Sequence, residues 1–382
     1  MAFISLIMKI FIHVNALTEG GAERVASLWA AEFAERGHDV TVIIRNDGRP
    51  VTYVPGEKVR VVRIGPDKGN KISKYITRLR QARKLMKEER PDVIIGVLNN
   101  ATIEAYIASR GLNIPVINTE HCAFERPASA KMSLSMRVKK MLVNRLYDHV
   151  TVLTSADKKI AGKHIQHLSL MPNPLAFKPI DSEKIIGAKE KVVLASGRID
   201  SWHYKGFDLL IEAWGKSEHA GWKLKIMGGG SQQSFDMLQD KARKFGVEDT
   251  VEFTGYSTNP LEDYQRASIF VLSSRYEGFG MVLIEAMSQG CACISADYKG
   301  RQSEIQQDAG LAVDVENVEQ LAAAITTLVN DSQLRKELQL KAVERSKEYL
   351  PSTIGDRWEE IFRKIKRHDD PPEKCFFREM KC

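Results

Sequence analysis

The chain has 382 residues, 43% of them hydrophobic and 27% charged, and this composition is typical of a folded globular protein rather than a disordered or fibrous one. Its length suffices for two or three domains, and its apolar runs are far shorter than the roughly 18 to 20 residues of a membrane-spanning helix. The formal net charge is +7. Residues 1–180 hold 28 Lys and Arg against 16 Asp and Glu, so we expect an anionic partner on the N-terminal side.

The predicted elements of the first half alternate between short β-rich runs and helical segments. In chain order they are strand 10–14, helix 22–36, strand 40–44, strand 59–64, helix 72–90, strand 93–97, helix 102–110 and strand 116–118. This alternation predicts a parallel sheet with crossover helices.

The same pattern restarts after a stretch containing Pro172 and Pro174, which discourage both helix and central strand. The elements predicted there are strand 192–196, helix 207–214, strand 223–227, helix 237–245, strands 250–253 and 269–272, helix 282–289 and strand 292–295. The chain is predicted helical after residue 317 to about 349, and again over 354–367. The fold class is therefore α/β, with doubly wound domains over residues 1–174 and 175–350 and a loose tail over 368–382.

The cysteines and the N-terminus bear on location. Five cysteines are an odd number, and Cys291 and Cys293 have no second pair at zinc-ligand spacing, so we expect these two on a buried strand and no metal site. Residues 1–10 lack the basic lead-in and cleavage site of a secretion signal. A cytoplasmic location is expected.

Two basic segments, 71–87 and 131–145, are predicted to be amphipathic helices. In the second, apolar residues alternate with Arg137, Lys139 and Lys140. Such helices can pack on a core with one solvated side, lie on an anionic membrane surface or contact nucleic-acid phosphates. Nucleic acid is the least favoured of these three interpretations.

Two glycine-containing segments are predicted to open helices directly after strands. Gly20 and Gly21 precede the first helix, and Gly278 to Met281 precede the helix 282–289. Backbone N–H groups at such positions can bind an anion. Neither a dinucleotide fingerprint nor a P-loop is present in the first segment, which disfavours dehydrogenase and ATPase functions.

Five charged or titratable side chains follow predicted strands, where ligands of open α/β sheets bind. They are His121, Arg198, Lys205, Glu277 and Glu285. A guanidinium and an ammonium together can hold a diphosphate, and two carboxylates eight residues apart span at most roughly 12 Å of helix and can hold hydroxyls. The alternatives are a structural histidine, solvated surface cations and a capped helix with an acidic first turn.

Five motifs follow one another along the chain: Gly-Gly-Ala-Glu-Arg at 20–24, Thr-Glu-His at 119–121, Asn-Pro at 173–174, the stretch 197–208, and the glutamates 277 and 285. Together and in this order they resemble glycosyltransferase family 4. The resemblance covers about residues 8–367. It implies the GT-B fold, in which two Rossmann-like domains face a central cleft and the final helix, here 354–367, packs back onto the first domain. It further implies transfer of a sugar from a nucleotide sugar with retention of anomeric configuration.

The resemblance also implies roles for the candidate residues. Arg198 and Lys205 would clamp the donor diphosphate, and Glu277 would hold hydroxyls of the transferred sugar. Glu285 would bind the ribose, and His121 would contact the sugar near its anomeric centre. The remaining implied contacts are the cleft lining by Gly20 and Gly21 and the backbone N–H groups of Gly278, Phe279, Gly280 and Met281.

The implied function is transfer of a hexose, preferably from a UDP-sugar, to a lipid-linked glycan in bacterial lipopolysaccharide, O-antigen or capsular polysaccharide synthesis. No cofactor or metal is expected beyond the nucleotide sugar. We expect peripheral binding to the inner face of the cell membrane through the basic N-terminal domain, and no nucleic-acid partner. A sugar-nucleotide epimerase and a non-catalytic binding or scaffold protein of the same fold remain alternatives.

Overall fold

The computed structural model describes residues 7–18, 20–66, 68–181 and 187–369. Two wholly parallel sheets organise this part of the chain, one of seven strands and one of six. Residues 370–382, which make up most of the predicted tail, lie outside the described residues. No helix among the described residues is both long and apolar enough to cross a bilayer.

The first sheet has the strand order β3-β2-β1-β4-β5-β6-β7. Its strands are β1 (Lys9–His13), β2 (Asp39–Arg45), β3 (Arg60–Ile64), β4 (Val93–Val97), β5 (Val116–Thr119), β6 (His149–Val152) and β7 (Leu168–Leu170). The helices are α1 (Gly21–Glu35), α2 (Lys71–Glu89), α3 (Asn99–Ser109), α4 (Leu134–Leu142) and α5 (Ser155–Ala161). Every residue of β4 is buried, as expected of a central strand covered by helices on both faces.

The second sheet has the order β10-β9-β8-β11-β12-β13, the doubly wound arrangement of a Rossmann-like domain. Its strands are β8 (Glu190–Ser196), β9 (Lys223–Met227), β10 (Val251–Gly255), β11 (Ala267–Leu272), β12 (Ala292–Asp297) and β13 (Gly310–Asp314). The helices are α6 (Trp202–Lys205), α7 (Phe207–Lys216), α8 (Gln232–Lys244), α9 (Pro260–Arg266), α10 (Met281–Ser288), α11 (Arg301–Gln306), α12 (Val318–Asn330), α13 (Ser332–Ser346) and α14 (Pro351–Asp369). The α/β prediction with two Rossmann-like domains is confirmed.

Several elements differ from the sequence prediction. The strands β6, β7 and β13 were not predicted, because each has only three to five residues and lacks a long apolar run. The basic segment 131–145 is not one helix, since only Leu134–Leu142 is α-helical and tighter turns flank it. The C-terminal helix is longer than predicted and extends to Asp369.

Helix α14 follows the second sheet in sequence but packs under the first. Trp358 and Phe362 are buried in the same cluster as Trp29 and Phe33 of α1, and the two tryptophan rings meet edge to face with centroids 5.1 Å apart. Aromatic pairs in this geometry contribute about 0.5–1.5 kcal/mol beyond the area that they bury. The first domain's core is therefore completed by the end of the chain.

Ion pairs also join the two domains on the side of α5. Arg301 of α11 donates to Asp157 of α5 at 2.8 Å, and both side chains are buried. The Ser155 backbone N–H donates to Glu304 at 2.8 Å. These contacts fix the domains with the carboxyl ends of their strands facing each other.

Candidate functional site

A cavity of about 830 Å³ lies between the two sheets, at the carboxyl ends of their strands. Its volume is in the range of small-molecule and cofactor sites. The first domain contributes Gly21, Arg24 and Tyr53, and the second contributes most of the lining, including Ser196 to Arg198, Met227 to Ser231, Tyr256, Ser257, Pro260, Tyr264, Met281, Val282 and Glu285. The cavity is where open α/β sheets bind ligands.

Arg198 lines this cavity directly after β8, opposite a glycine run that follows β9. At Gly228, with φ of +155°, a Cβ would stand 1.8 Å from the carbonyl oxygen of Gly197, so glycine alone allows the two loops to approach this closely. Asp200 fastens the same loops by accepting from the Ser231 backbone N–H at 2.8 Å and from the Ser234 hydroxyl at 2.9 Å. Arg198 is thus held on a rigid loop.

Lys205 lies beside Arg198, because its methylene groups pack against Gly197. Its ammonium donates to Glu277 Oε1 at 2.7 Å, and the Ser274 hydroxyl donates to the same oxygen at 2.8 Å. The two side chains of this pair are 26% and 16% exposed. One cation, Arg198, therefore lines the cavity, and a second, Lys205, packs against the preceding glycine and is oriented by a carboxylate.

The N-terminus of α10 connects the two glutamates. Gly280, with φ of +84°, caps the helix, and Met281 lines the cavity. The ring of Phe279 is buried against Tyr349, with ring centroids 5.6 Å apart, so this residue can offer a ligand only its backbone. Free N–H groups and the helix dipole make this end of α10 suited to an anion.

Glu285 lies one turn further along α10 and is 3% exposed. Burial raises the pKa of its carboxyl group, and the Arg24 guanidinium and the Tyr264 hydroxyl offset that rise in part. Arg24 donates from α1 across the cleft at 2.8 Å, and Tyr264 donates at 3.2 Å. The guanidinium also lies over the ring of Phe177, 4.9 Å from its centroid.

Arg24 is a site residue that the sequence analysis did not assign. It belongs to the segment 20–24 and forms an ion pair across the cleft with Glu285. The signal was its place in that segment, one helical turn after the two glycines. Gly21 lines the cavity, whereas Gly20 is the N-cap of α1.

His121 follows β5 on the first domain and faces Gly278 of the second. A Cβ at Gly278 would stand 2.3 Å from the His121 carbonyl oxygen, so this contact requires glycine. The Thr119 hydroxyl donates to the Gly96 carbonyl at 2.9 Å and can therefore only accept from His121 Nε2, 3.1 Å away. His121 Nδ1 is then an acceptor, and it is buried without a hydrogen-bond partner among the described residues.

Burial, with the Lys140 ammonium as a second cause, lowers the pKa of His121 to about 4. The imidazole is therefore neutral near pH 7. Its Nδ1 lone pair is unpaired among the described residues and is buried. The structure thus brings a polar acceptor on the first domain close to the glycine-rich loop of the second.

The two basic segments differ in how they meet solvent. On α2 the exposed residues include the basic Lys71, Arg80, Lys84 and Lys87 and the apolar Ile72 and Ile76. On α4, by contrast, exposed apolar residues surround Arg137; they are Leu134, Met136, Val138 and Leu142. The expectation that Lys140 belongs to the exposed charge of this segment is wrong, because Lys140 is 3% exposed and paired with Glu120.

The described residues hold no group of three or more His, Cys, Asp or Glu side chains arranged to bind a metal ion. Cys291 and Cys293 are fully buried as predicted, but only Cys293 lies in β12, and Cys291 immediately precedes the strand. The charged groups around the cavity are therefore the side chains described above.

Two family models match consecutive parts of the chain. The model described as Glycosyltransferase Family 4 matches residues 19–175, and the model described as Glycosyl transferases group 1 matches residues 177–345. The first covers most of the domain with the seven-stranded sheet, and the second covers the domain with the six-stranded sheet.

Curated relatives match over nearly their whole lengths. The amylovoran biosynthesis glycosyltransferase AmsD of Erwinia amylovora is 29% identical over 92% of this chain and 99% of its own. An α-1,4-N-acetyl-D-galactosaminyltransferase of Campylobacter jejuni, whose name gives an undecaprenyl-diphosphate-linked acceptor, is 29% identical over 94% of this chain and 99% of its own.

Solved structures share the fold. Anabaena HepE, determined in complex with UDP and glucose, has a TM-score of 0.79 at 20% identity and covers 94% of this chain and 100% of its own. The lipopolysaccharide outer core galactosyltransferase WaaB has a TM-score of 0.71 at 20% identity, with the same coverage. These likenesses establish the two-domain GT-B architecture.

Proposed function

The chain belongs to the glycosyltransferases of family 4 with the GT-B fold, and on that premise we propose that it moves a hexose from a UDP-sugar to a lipid-linked glycan in bacterial polysaccharide synthesis. The observation that carries the proposal is that Arg198 and the first residues of α10 line one cavity, while Lys205 packs on Gly197 and pairs with Glu277 just before that helix. Two cations and a helix N-terminus at one end of a cleft form a site for a diphosphate.

In the proposed reaction the donor diphosphate lies against Arg198, Lys205 and the backbone N–H groups of residues 278–281. As the bond between the anomeric carbon and the phosphate oxygen breaks, negative charge grows on the leaving nucleoside diphosphate, and the two cations stabilise it. This is the task that a divalent ion performs in other transferases. We therefore propose that the reaction needs no metal, so that turnover persists in excess EDTA.

The other site residues hold the rest of the donor. Glu285, buried at the far end of the cavity, accepts from the ribose hydroxyls, and Glu277 accepts from hydroxyls of the transferred sugar. His121, whose carbonyl lies against Gly278, contacts the sugar near its anomeric centre. We propose front-face attack, in which the acceptor hydroxyl approaches from the side of the leaving group and gives its proton to a phosphate oxygen. That path retains the anomeric configuration.

The nucleotide and the acceptor are inferred from the relatives. HepE was solved with UDP and glucose, and the Campylobacter enzyme takes its name from an undecaprenyl-diphosphate-linked glycan. A long polyprenyl chain stays in the bilayer, so the enzyme must meet its acceptor at the membrane surface. The exposed apolar side chains of α4, with the exposed Arg137 among them and Lys131 and Arg145 on either side of the helix, are suited to the inner leaflet, because basic residues attract anionic headgroups while apolar ones enter the interface.

A nucleotide screen tests the donor class. Ligand that binds only the folded protein raises its melting temperature by mass action. We expect a selective rise with UDP and UDP-sugars and little change with GDP, ADP or CMP. A selective rise with another nucleotide would reject UDP, and no rise with any of them would favour a scaffold protein over an enzyme.

Transfer is then measured with the selected donor and an undecaprenyl-diphosphate-linked glycan in vesicles. The anomeric configuration of the new linkage, read by NMR, tests retention, and inversion would reject the front-face mechanism. E277A is expected to keep the nucleotide-induced rise in melting temperature and to lose transfer. Unchanged turnover in E277A would reject the role given to Glu277.

A further inference from the structure

Helix α4 is attached to the first domain by a lysine. Of the α4 side chains that the structure describes, Lys140 is the one that is buried, and Leu134, Met136 and Val138 are exposed. Surface helices normally bury an apolar stripe and keep their charges in water. This helix does the reverse, so the function of its ammonium needs an explanation.

The Lys140 ammonium enters a pocket built for it. It donates to Glu120 Oε2 and to the Cys122 carbonyl oxygen, each at 2.6 Å, and lies over the Phe124 ring, 4.3 Å from its centroid. Asn144, just after α4, donates to the other oxygen of Glu120 at 2.9 Å. Both oxygens of a buried carboxylate are thus filled from the α4 side.

An apolar side chain would anchor the helix without removing two charges from water. Buried ion pairs seldom stabilise a fold more than well-packed hydrophobic residues do. What such a pair adds is a defined geometry, because it tolerates only one arrangement of donors and acceptors. The residues that the Lys140–Glu120 pair contacts therefore indicate which part of the chain the pair positions.

The two acceptors of the ammonium flank one residue. Glu120 precedes His121 and Cys122 follows it, so Lys140 holds the carboxylate before the imidazole and the backbone carbonyl after it. The His121 carbonyl in turn lies against Gly278 at the start of the diphosphate loop. A continuous set of contacts leads from the exposed helix α4 to the cleft.

We propose that Lys140 is a positioning residue that couples α4 to His121, so that contact of α4 with an anionic lipid surface orders the imidazole for the donor sugar. This proposal rests on the proposed function, which identifies the surface as a membrane and the ligand as a donor sugar. Lys140 does not touch the ligand, and it acts through the segment 120–122.

The charges around His121 give the coupling a measurable signature. Burial and Lys140 lower the pKa of the imidazole, Glu120 lies beside it on its own segment, and Trp29 of α1 packs against the ring. Across the cleft, Glu277 is adjacent to Gly278 and is paired with Lys205. Replacing Lys140 removes the first-domain cation that lowers the pKa of His121.

Three variants separate positioning from folding. K140M removes the ammonium. E120Q/K140M removes both charges and leaves no uncompensated buried ion, so it serves where K140M unfolds. R137M is the matched control, since it removes one charge from the exposed face of the same helix without touching the Glu120 pocket.

The first readout is the NMR titration of the His121 imidazole, assigned by comparison with H121Q. We expect the titration midpoint to rise by about one pH unit in K140M, to rise less in E120Q/K140M because an anion is removed with the cation, and to stay unchanged in R137M. Equal midpoints in all of the variants and the unaltered protein would overturn the proposal. This readout needs neither donor nor turnover, so it decides the matter even if the proposed glycosyl transfer fails.

The second readout is hydrogen–deuterium exchange with vesicles of phosphatidylglycerol and phosphatidylethanolamine, and with phosphatidylcholine as the neutral surface. In the unaltered protein the anionic vesicles should slow exchange in both 134–142 and 118–124. In E120Q/K140M the first segment should still respond, and the second should lose its response. An equal response of 118–124 in the variant, or no response of 134–142 in the unaltered protein, would reject the coupling to lipid.

Discussion

Two lysine–glutamate pairs flank the cleft, one in each domain, and their nitrogen–oxygen distances are nearly equal. Lys205 and Glu277 are 2.7 Å apart, and Lys140 and Glu120 are 2.6 Å apart. The side chains of the first pair are 26% and 16% exposed, whereas those of the second are 3% and 4% exposed. A ligand can therefore reach the ion pair of the second domain but not the ion pair of the first.

The difference teaches what solvent access does to an ion pair. Lys205 can exchange part of its contact with Glu277 for a phosphate oxygen, because water already reaches both groups. Lys140 has no such alternative, and any change at this position leaves a carboxylate buried. The predictions below test this contrast, beginning with the largest expected effect.

K140M should destabilise the protein more than any other change considered. The substitution leaves Glu120 buried without its cation, and breaking a buried pair in this way costs about 3–5 kcal/mol. A thermal melt should show a clear drop in melting temperature. E120Q/K140M should recover most of it, and equal melting temperatures for K140M and the unaltered protein would contradict the burial of this pair.

K205M should lower turnover strongly while changing the stability of the protein little. We expect turnover to fall by about 10²–10³-fold, the usual effect of removing one group that stabilises charge in the transition state. The free energy of unfolding should change by less than about 1 kcal/mol, because a partly solvated pair contributes little to stability. A K205M protein that turns over normally would remove Lys205 from the mechanism.

R24M probes the cross-cleft contact with Glu285. Loss of the guanidinium frees the carboxylate that we assign to the ribose, while its partner Tyr264 remains. We expect KM for the donor to rise about tenfold, equivalent to about 1.4 kcal/mol, with a smaller change in kcat. R49M, at an exposed arginine of the same domain, is the control. A lower KM would instead indicate that Arg24 competes with the ribose.

The pH dependence of stability tests the burial of His121. Unfolded His121 gains a proton as the pH falls through about 6.5, whereas the folded residue, with a pKa of about 4, does not. The unfolded state therefore binds more protons between these values, and the free energy of unfolding decreases as the pH falls through this window. Melting temperatures at pH 7 and pH 4.5 should differ less in H121Q than in the unaltered protein. An equal pH dependence in both would reject this assignment.

Most of the fold could be predicted from the sequence, because long runs such as those of β4 and β11 and the helices between them show their periodicity directly. The strands β6 and β13 could not, since they have only four and five residues and lack a long apolar run. The break between α12 and α13 was also missed, because Asp331 serves as the N-cap of the second helix within a continuous helical pattern.

At the site, the motifs predicted which residues meet but not how they pair. Arg198, Lys205 and Glu285 lie where parallel-sheet topology places them. The contact between Arg24 and Glu285 spans 261 positions and depends on how the domains close, which no local pattern encodes. Lys140 was misjudged for a related reason, since the alternation of its segment predicts a solvated lysine and its partner Glu120 lies on another element.

Helix α14 has a consequence for how the protein is made. Trp358 and Phe362 complete the core under Trp29 and Phe33, yet they are synthesised roughly 180 residues after the first domain's last strand. At about 5–20 residues per second, the first domain waits on the order of ten to forty seconds on the ribosome with an aromatic face uncovered. That interval makes the nascent chain a client for chaperones, and it means that the first domain cannot be finished before the second has emerged.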